Sequence, residues 1–191
     1  MGQTVTLPLN AEETAQLVES TGFSESQLKR LYERFSQLDV LDRQYLSKND
    51  FLRIPELAHN PLKRRIVDAF FLLERAERHL SFAQFARAMS RFRPTRNGGK
   101  EERRKRRQEK LLFAFTMYDL RGNGYISSGE LQTVLELMVG SNVTKEQLRS
   151  IAQASVAEFD ADGDGRLSFP EFCQAMEQAD IEEKMSMRFF T

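Results

Sequence analysis

Apolar side chains in this chain recur at helical spacing and are then interrupted by short polar strings rich in acid and glycine. Leu131, Val134, Leu135, Met138 and Val139 repeat at i, i+3, i+4, i+7 and i+8, which predicts an amphipathic helix with its stripe turned toward a core. Phe113, Phe115 and Met117 place a second helix before the string 119–130, and Phe172 and Met176 begin another after the string 160–171. Inside four such strings stands one apolar residue, Leu46, Leu80, Ile126 or Leu167. Four copies of helix, loop and helix predict an all-α chain.

The string 160–171, DADGDGRLSFPE, meets the demands of a Ca²⁺ cage almost position by position. Asp160, Asp162 and Asp164 supply hard oxygens at loop positions 1, 3 and 5, Gly165 permits the sharp turn at position 6, and the Arg166 carbonyl serves position 7. Ser168 suits a bridging water at position 9, and Glu171 closes the loop at position 12 as a bidentate ligand. This is an EF-hand, and it predicts Ca²⁺ as the cofactor. The string 119–130, DLRGNGYISSGE, is a weaker copy that keeps Asp119, Asn123, the Tyr125 carbonyl and Glu130 but places Arg121 where an oxygen donor belongs. A cation there opposes a divalent ion unless its side chain turns to solvent, so the second Ca²⁺ site stays open. Setting Leu46 at position 8 gives a first hand over 39–50, with Leu41, Arg43 and Gln44 in place of two oxygen donors and the glycine. Setting Leu80 there gives a second hand over 73–84, with Arg75 and Arg78 turned to the cavity and no closing carboxylate. Both keep the fold and lose the metal. The apolar residues of one hand pair with those of its neighbour at position 8, so the four hands predict two lobes.

Composition narrows the function. A chain of 191 residues with 15 Phe and no Trp suits two small helical cores. No apolar run approaches the roughly 18 residues of a membrane span, and no secretory signal is present, which predicts a cytoplasmic protein. Cys173 is the single cysteine and reads as a packed thiol; with only His59 and His79 beside it, zinc and Cys/His catalysis have no support, and a non-catalytic role is expected. Charge is uneven: 91–110 holds 10 basic and 3 acidic residues, and 111–191 holds 6 basic and 13 acidic. Arg93-Pro94 and Asn97-Gly98-Gly99 mark a linker, and Glu101 onward can begin the helix entering the third hand. The cluster 103–107 reads as a solvated face, an attraction to anionic membrane, or a nuclear import signal. Nucleic acid is not expected as a partner, because no aromatic residue interleaves with these charges. Met1-Gly2-Gln3-Thr4-Val5-Thr6 matches the acceptor pattern for myristate on Gly2.

Several strings resemble the calcineurin B homologous protein family, the EF-hand subunits of plasma-membrane Na⁺/H⁺ exchangers. They are Thr21-Gly22-Phe23-Ser24, Ile54-Pro55-Glu56-Leu57, Asn60-Pro61-Leu62, Ala69-Phe70-Phe71, Phe92-Arg93-Pro94, Phe113-Ala114-Phe115, Leu137-Met138-Val139-Gly140 and Lys184-Met185-Ser186-Met187-Arg188-Phe189. Calcineurin B is similar over Pro55-Glu56-Leu57, Asn60-Pro61-Leu62 and Met138-Val139-Gly140. The resemblance implies Ca²⁺ at the third and fourth hands, myristate on Gly2, and an amphipathic juxtamembrane helix of an exchanger as partner. Departures are Arg121 and a short, basic segment between the second and third hands.

The expected division is a lipid-bearing segment 1–20, an N-terminal lobe 21–92, a basic linker 93–109, a C-terminal lobe 110–178 and a tail 179–191. Phe113, Met117, Leu131, Leu135, Leu137, Met138, Phe172 and Met176 form the expected groove for a partner helix. Leu137 falls off the main stripe, which leaves it free to meet that partner. The chain is expected in the cytoplasm and on the cytoplasmic face of the plasma membrane, with the nucleus open to it. A phosphatase catalytic subunit is the alternative partner, and a soluble Ca²⁺ buffer is the alternative of a different class.

Overall fold

The computed structural model describes residues 7–93, 99–140 and 143–177. Gly2 and the tail 179–191 lie outside them. Among the described residues the order is α1 (Ala11–Thr21), α2 (Glu25–Leu38), β1 (Tyr45–Ser47), α3 (Lys48–Leu52), α4 (Pro55–Ala58), α5 (Lys63–Leu73), β2 (His79–Ser81) and α6 (Phe82–Ser90). There follow α7 (Lys100–Tyr118), β3 (Tyr125–Ser127), α8 (Ser128–Val139), α9 (Lys145–Phe159), β4 (Arg166–Ser168) and α10 (Phe169–Ala175). The strands are three residues each and pair antiparallel, Leu46 opposite Leu80 and Ile126 opposite Leu167, the residues assigned to position 8. All four are buried, so each two-stranded contact ties a pair of loops to a core.

One local signal starts each helix that leaves a loop. Ser47, Ser81, Ser127 and Ser168 stand at the N-cap, and Asp50, Gln84, Glu130 and Glu171 stand three residues into the helix as capping-box partners. The backbone N–H of each serine donates to that partner, at 2.7, 2.9, 3.0 and 2.8 Å in chain order. Position 12 is therefore a helix-capping position whether or not a metal is held. Position 9 is a cap as well: the Ser168 hydroxyl donates to Glu171 at 2.7 Å.

The chain divides into two units, Met1–His59 with Phe70–Arg93, and Asn60–Ala69 with Pro94–Thr191. In the first, rings of Phe35, Phe51, Phe71, Phe82 and Phe85 pack edge to face or tilted on one another, and Leu46 and Leu80 are fully buried. Helix α1 packs on α6 and buries Leu17, so the boundary expected at residue 20 moves: from Ala11 the chain is part of this core. In the second unit Leu111, Phe115, Ile126, Val156, Leu167 and Phe172 form the core, with Leu131, Cys173 and Met176 packed against it.

The linker expected over 93–109 is shorter. Gly99 is the N-cap of α7, and residues 100–109 are helix, because Lys, Glu, Arg and Gln are good helix formers and Glu101 and Glu102 suit the first turn. The second unit also takes residues 60–69, which the expected division placed in the N-terminal lobe. Within this unit Arg65 reaches the backbone of residues 116–119.

Candidate metal centres

The fourth loop brings Asp160, Asp162 and Asp164 together, with one oxygen from each within 4.8 Å of the others. The backbone holds them there. Asp160 Oδ1 accepts from the N–H of Gly163 at 2.8 Å, Asp160 Oδ2 accepts from Gly165 at 2.8 Å, and Asp162 accepts from Asp164 at 3.1 Å. Gly163 and Gly165 have φ of 75° and 80°, a left-handed turn that brings these amides round onto one carboxylate. Glu171 accepts from the hydroxyl and N–H of Ser168 and from the N–H of Ala161, and these bonds hold its carboxyl down from 4.5 to about 2. The group is ionised at neutral pH and closes the loop. Asp164 lies 2.9 Å from the Arg166 guanidinium, which also covers the Tyr125 ring at 4.4 Å. A hard-oxygen set of this charge fits Ca²⁺.

In the third loop the same bonds recur. Asp119 accepts from Gly122 at 2.7 Å, Asn123 at 3.1 Å and Gly124 at 2.8 Å, and Glu130 accepts from Ser127 and from the N–H of Arg121. Arg121 is exposed, so its side chain does not fill the loop. Burial pushes the Glu130 carboxyl up, but the Ser127 and Arg121 hydrogen bonds and the Arg121 charge outweigh it and leave it below its ordinary value. Asp119, Asn123, the Tyr125 carbonyl and Glu130 fit a cation with one side-chain donor fewer than the fourth loop provides.

The first loop has kept the frame and supplied its own cation. Gln44 donates from its backbone to Asp39 at 2.6 Å, the same bond from position 6 to position 1, and Asp42 and Gln44 adopt φ of 50° and 64° where the third and fourth loops have glycine. The Arg43 guanidinium turns inward, bonding Asp50 and lying 3.6 Å from Asp39. Asp39 and Asp50 are both buried. Burial raises the Asp50 carboxyl, yet the Ser47 bonds and Arg43 more than reverse this and leave it lowered. The second loop has no such centre. Arg75 and Arg78 are exposed instead of facing a cavity, and buried Glu74 is held by Arg87 at 3.3 Å and Arg91 at 2.5 Å, both from the α6 side. Gln84, in the closing position, donates its amide to the Glu74 carbonyl at 3.1 Å.

The description "EF-hand domain pair" fits residues 108–177, which span the third and fourth hands. Calcineurin B of Naegleria gruberi is 42% identical over 185 residues, covering 97% of this chain and 98% of that protein. The chain belongs to the calcineurin B family. Its EF-hands indicate Ca²⁺ binding.

Within this calcineurin-B-type chain two arginines brace the hands in a way that reading along the sequence missed. Arg65 of α5 donates to the carbonyls of Thr116, Met117 and Asp119 at 2.9 to 3.0 Å, closing the end of α7 where the third loop begins. Arg107 donates to the carbonyls of Met176 and Glu177 at the end of α10. Both satisfy carbonyls that a helix end leaves open, and no spacing rule links residues more than 50 positions apart. The expected groove set is redistributed. Phe113 and Phe172 are buried, Leu131 and Met176 pack on the core cluster, and Met117 and Leu135 are half-buried. Met138, expected on the inner stripe, is 48% exposed beside Leu137 at 45%. The inner face of α8 centres on Val134, and the facing helix α9 also leaves Ile151 exposed.

Proposed function

We propose that the protein is a non-catalytic, Ca²⁺-binding regulatory subunit of a protein phosphatase, acting in the cytoplasm by holding an amphipathic helix of the catalytic subunit. The observation that carries this reading is the 42% identity to a calcineurin B over nearly the whole of both chains. Ca²⁺ at Asp160, Asp162, Asp164, the Arg166 carbonyl and Glu171 holds α9 and α10 in one arrangement, and the third loop takes a second, weaker ion. Leu137, Met138 and Ile151 supply exposed apolar surface for the helix, and burial of that surface dominates its binding.

A second reading, a subunit of a Na⁺/H⁺ exchanger carrying myristate at the cytoplasmic face of the plasma membrane, is favoured by Thr21-Gly22-Phe23-Ser24, Phe92-Arg93-Pro94 and the Met185-to-Phe189 string. The two separate in one titration. Labelled helices from a phosphatase catalytic subunit and from an exchanger juxtamembrane segment are each titrated with the full chain in Ca²⁺ and in chelator. Capture of the phosphatase helix one to one, weakened in chelator and by Leu137→Ser with Met138→Ser, supports the proposal. Capture of the exchanger helix alone replaces it, and capture of neither returns the chain to the buffer reading.

A further inference from the structure

We propose that the first two turns of α7 form a docking surface for anionic lipid headgroups. This goes beyond the phosphatase reading and does not rest on it. From Gly99 to Lys105 every residue is exposed, and the first fully buried side chain of the helix is Lys110. Six residues at about 1.5 Å each make an overhang of about 9 Å beyond the packed part of the helix. Arg104 and Arg106 pair along the helix with Glu101 and Glu102, and Arg107 is engaged at the end of α10. Lys100, Arg103 and Lys105 have no ion pair among the described residues. Three cations without an ion pair among the described residues thus share two turns at the positive end of the helix dipole, where stability alone favours acids. Local helix stability does not account for them.

The chemistry of the overhang selects the partner. Residues 100–110 are all charged except Gln108. An aromatic residue on which a nucleic-acid base could stack is absent, and so is an apolar side chain to anchor a protein interface, whose affinity concentrates in such anchors. What is left is diffuse attraction between exposed cations and a negatively charged surface, the mode by which polybasic segments meet acidic membrane leaflets.

The test uses the full chain without an acyl group, sedimented with phosphatidylcholine vesicles or with vesicles containing phosphatidylserine, at low salt and at about 0.5 M KCl, where screening acts within a few ångströms. The triple variant Lys100→Gln, Arg103→Gln, Lys105→Gln is compared with a control triple, Lys29→Gln, Arg30→Gln, Arg149→Gln, which removes the same charge elsewhere. Helical content and Ca²⁺ titration confirm that both variants fold. The expected result is binding to phosphatidylserine vesicles only, weakened on the order of 100-fold in the α7 triple, near wild type in the control, and abolished by salt. Equal partition of the two triples, binding to neutral vesicles, or a wild-type chain that ignores phosphatidylserine overturns the proposal. So does capture of an acidic polypeptide through these residues with lipid left untouched. None of these outcomes bears on whether a phosphatase helix binds.

Discussion

The first and fourth loops have nearly the same internal hydrogen bonding and opposite charge chemistry. In both, the N–H of position 6 donates to the aspartate of position 1, the N–H of position 9 donates to the carboxylate of position 12, and positions 4 and 6 are left-handed. The fourth loop gathers three aspartates, with Glu171 held apart from that cluster by Ser168 and Ala161 and Arg166 on the rim; the first leaves two buried carboxylates and turns Arg43 between them. The loop shape therefore comes from capping and turn bonds, which both loops share. A cation supplies compensation for the buried acids, and a covalently attached guanidinium does this at every Ca²⁺ concentration.

The comparison breaks most sharply at position 12. Glu171→Gln is expected to weaken Ca²⁺ binding by roughly 100-fold, one step of the EF-hand affinity scale, while Glu130→Gln removes only a weaker transition; calorimetry on both variants reads this, and equal losses would overturn the ranking. Next is the internal cation. Arg43→Asp should lower the melting temperature of the chelated protein by roughly 5 °C and restore part of it in millimolar Ca²⁺. In the wild type, hydrogen exchange at the Gln44 and Ser47 amides should be indifferent to chelator, whereas Gly165 and Ser168 respond.

Acid sharpens the same contrast in metal-free protein. Both Asp50 and Glu171 have lowered folded values, so each contributes stability that is complete above its unfolded value and is lost as pH falls through the folded one. Protection of the Ser168 amide should fade between 4.5 and about 2, and that of Ser47 below 3.8. Loss of either protection near neutral pH would contradict the geometry. A smaller effect is expected in the third loop, where Arg121→Asp adds a donor and removes a cation; about tenfold tighter Ca²⁺ binding follows, read by titration against a chelator dye. Smallest is Gln44→Gly, which relieves the left-handed strain of a non-glycine residue at the cost of the Gln44 side-chain bonds to Tyr32 and Asp42. A rise of about 2 °C is expected by calorimetry.

The sequence by itself determined the four hands, the position-8 pairing and the three aspartates that the fourth loop brings together. Those features obey rules confined to about twelve consecutive residues, where each side chain's partner is a backbone atom a few positions away. It also showed that Arg43, Arg121 and Gln84 depart from those rules, but not what each would do. Both loops bury two acids, Asp39 and Asp50 in the first and Asp119 and Glu130 in the third, yet Arg43 at position 5 turns in between its pair while Arg121 at position 3 stays exposed. Only the tertiary structure decided that Arg65 closes the end of α7, that Glu74 is held from α6, and that Met138 is left exposed while Val134 is buried. A helical stripe is wider than the face a neighbouring helix covers, and a long cationic side chain follows the charges and carbonyls that folding brings within its reach.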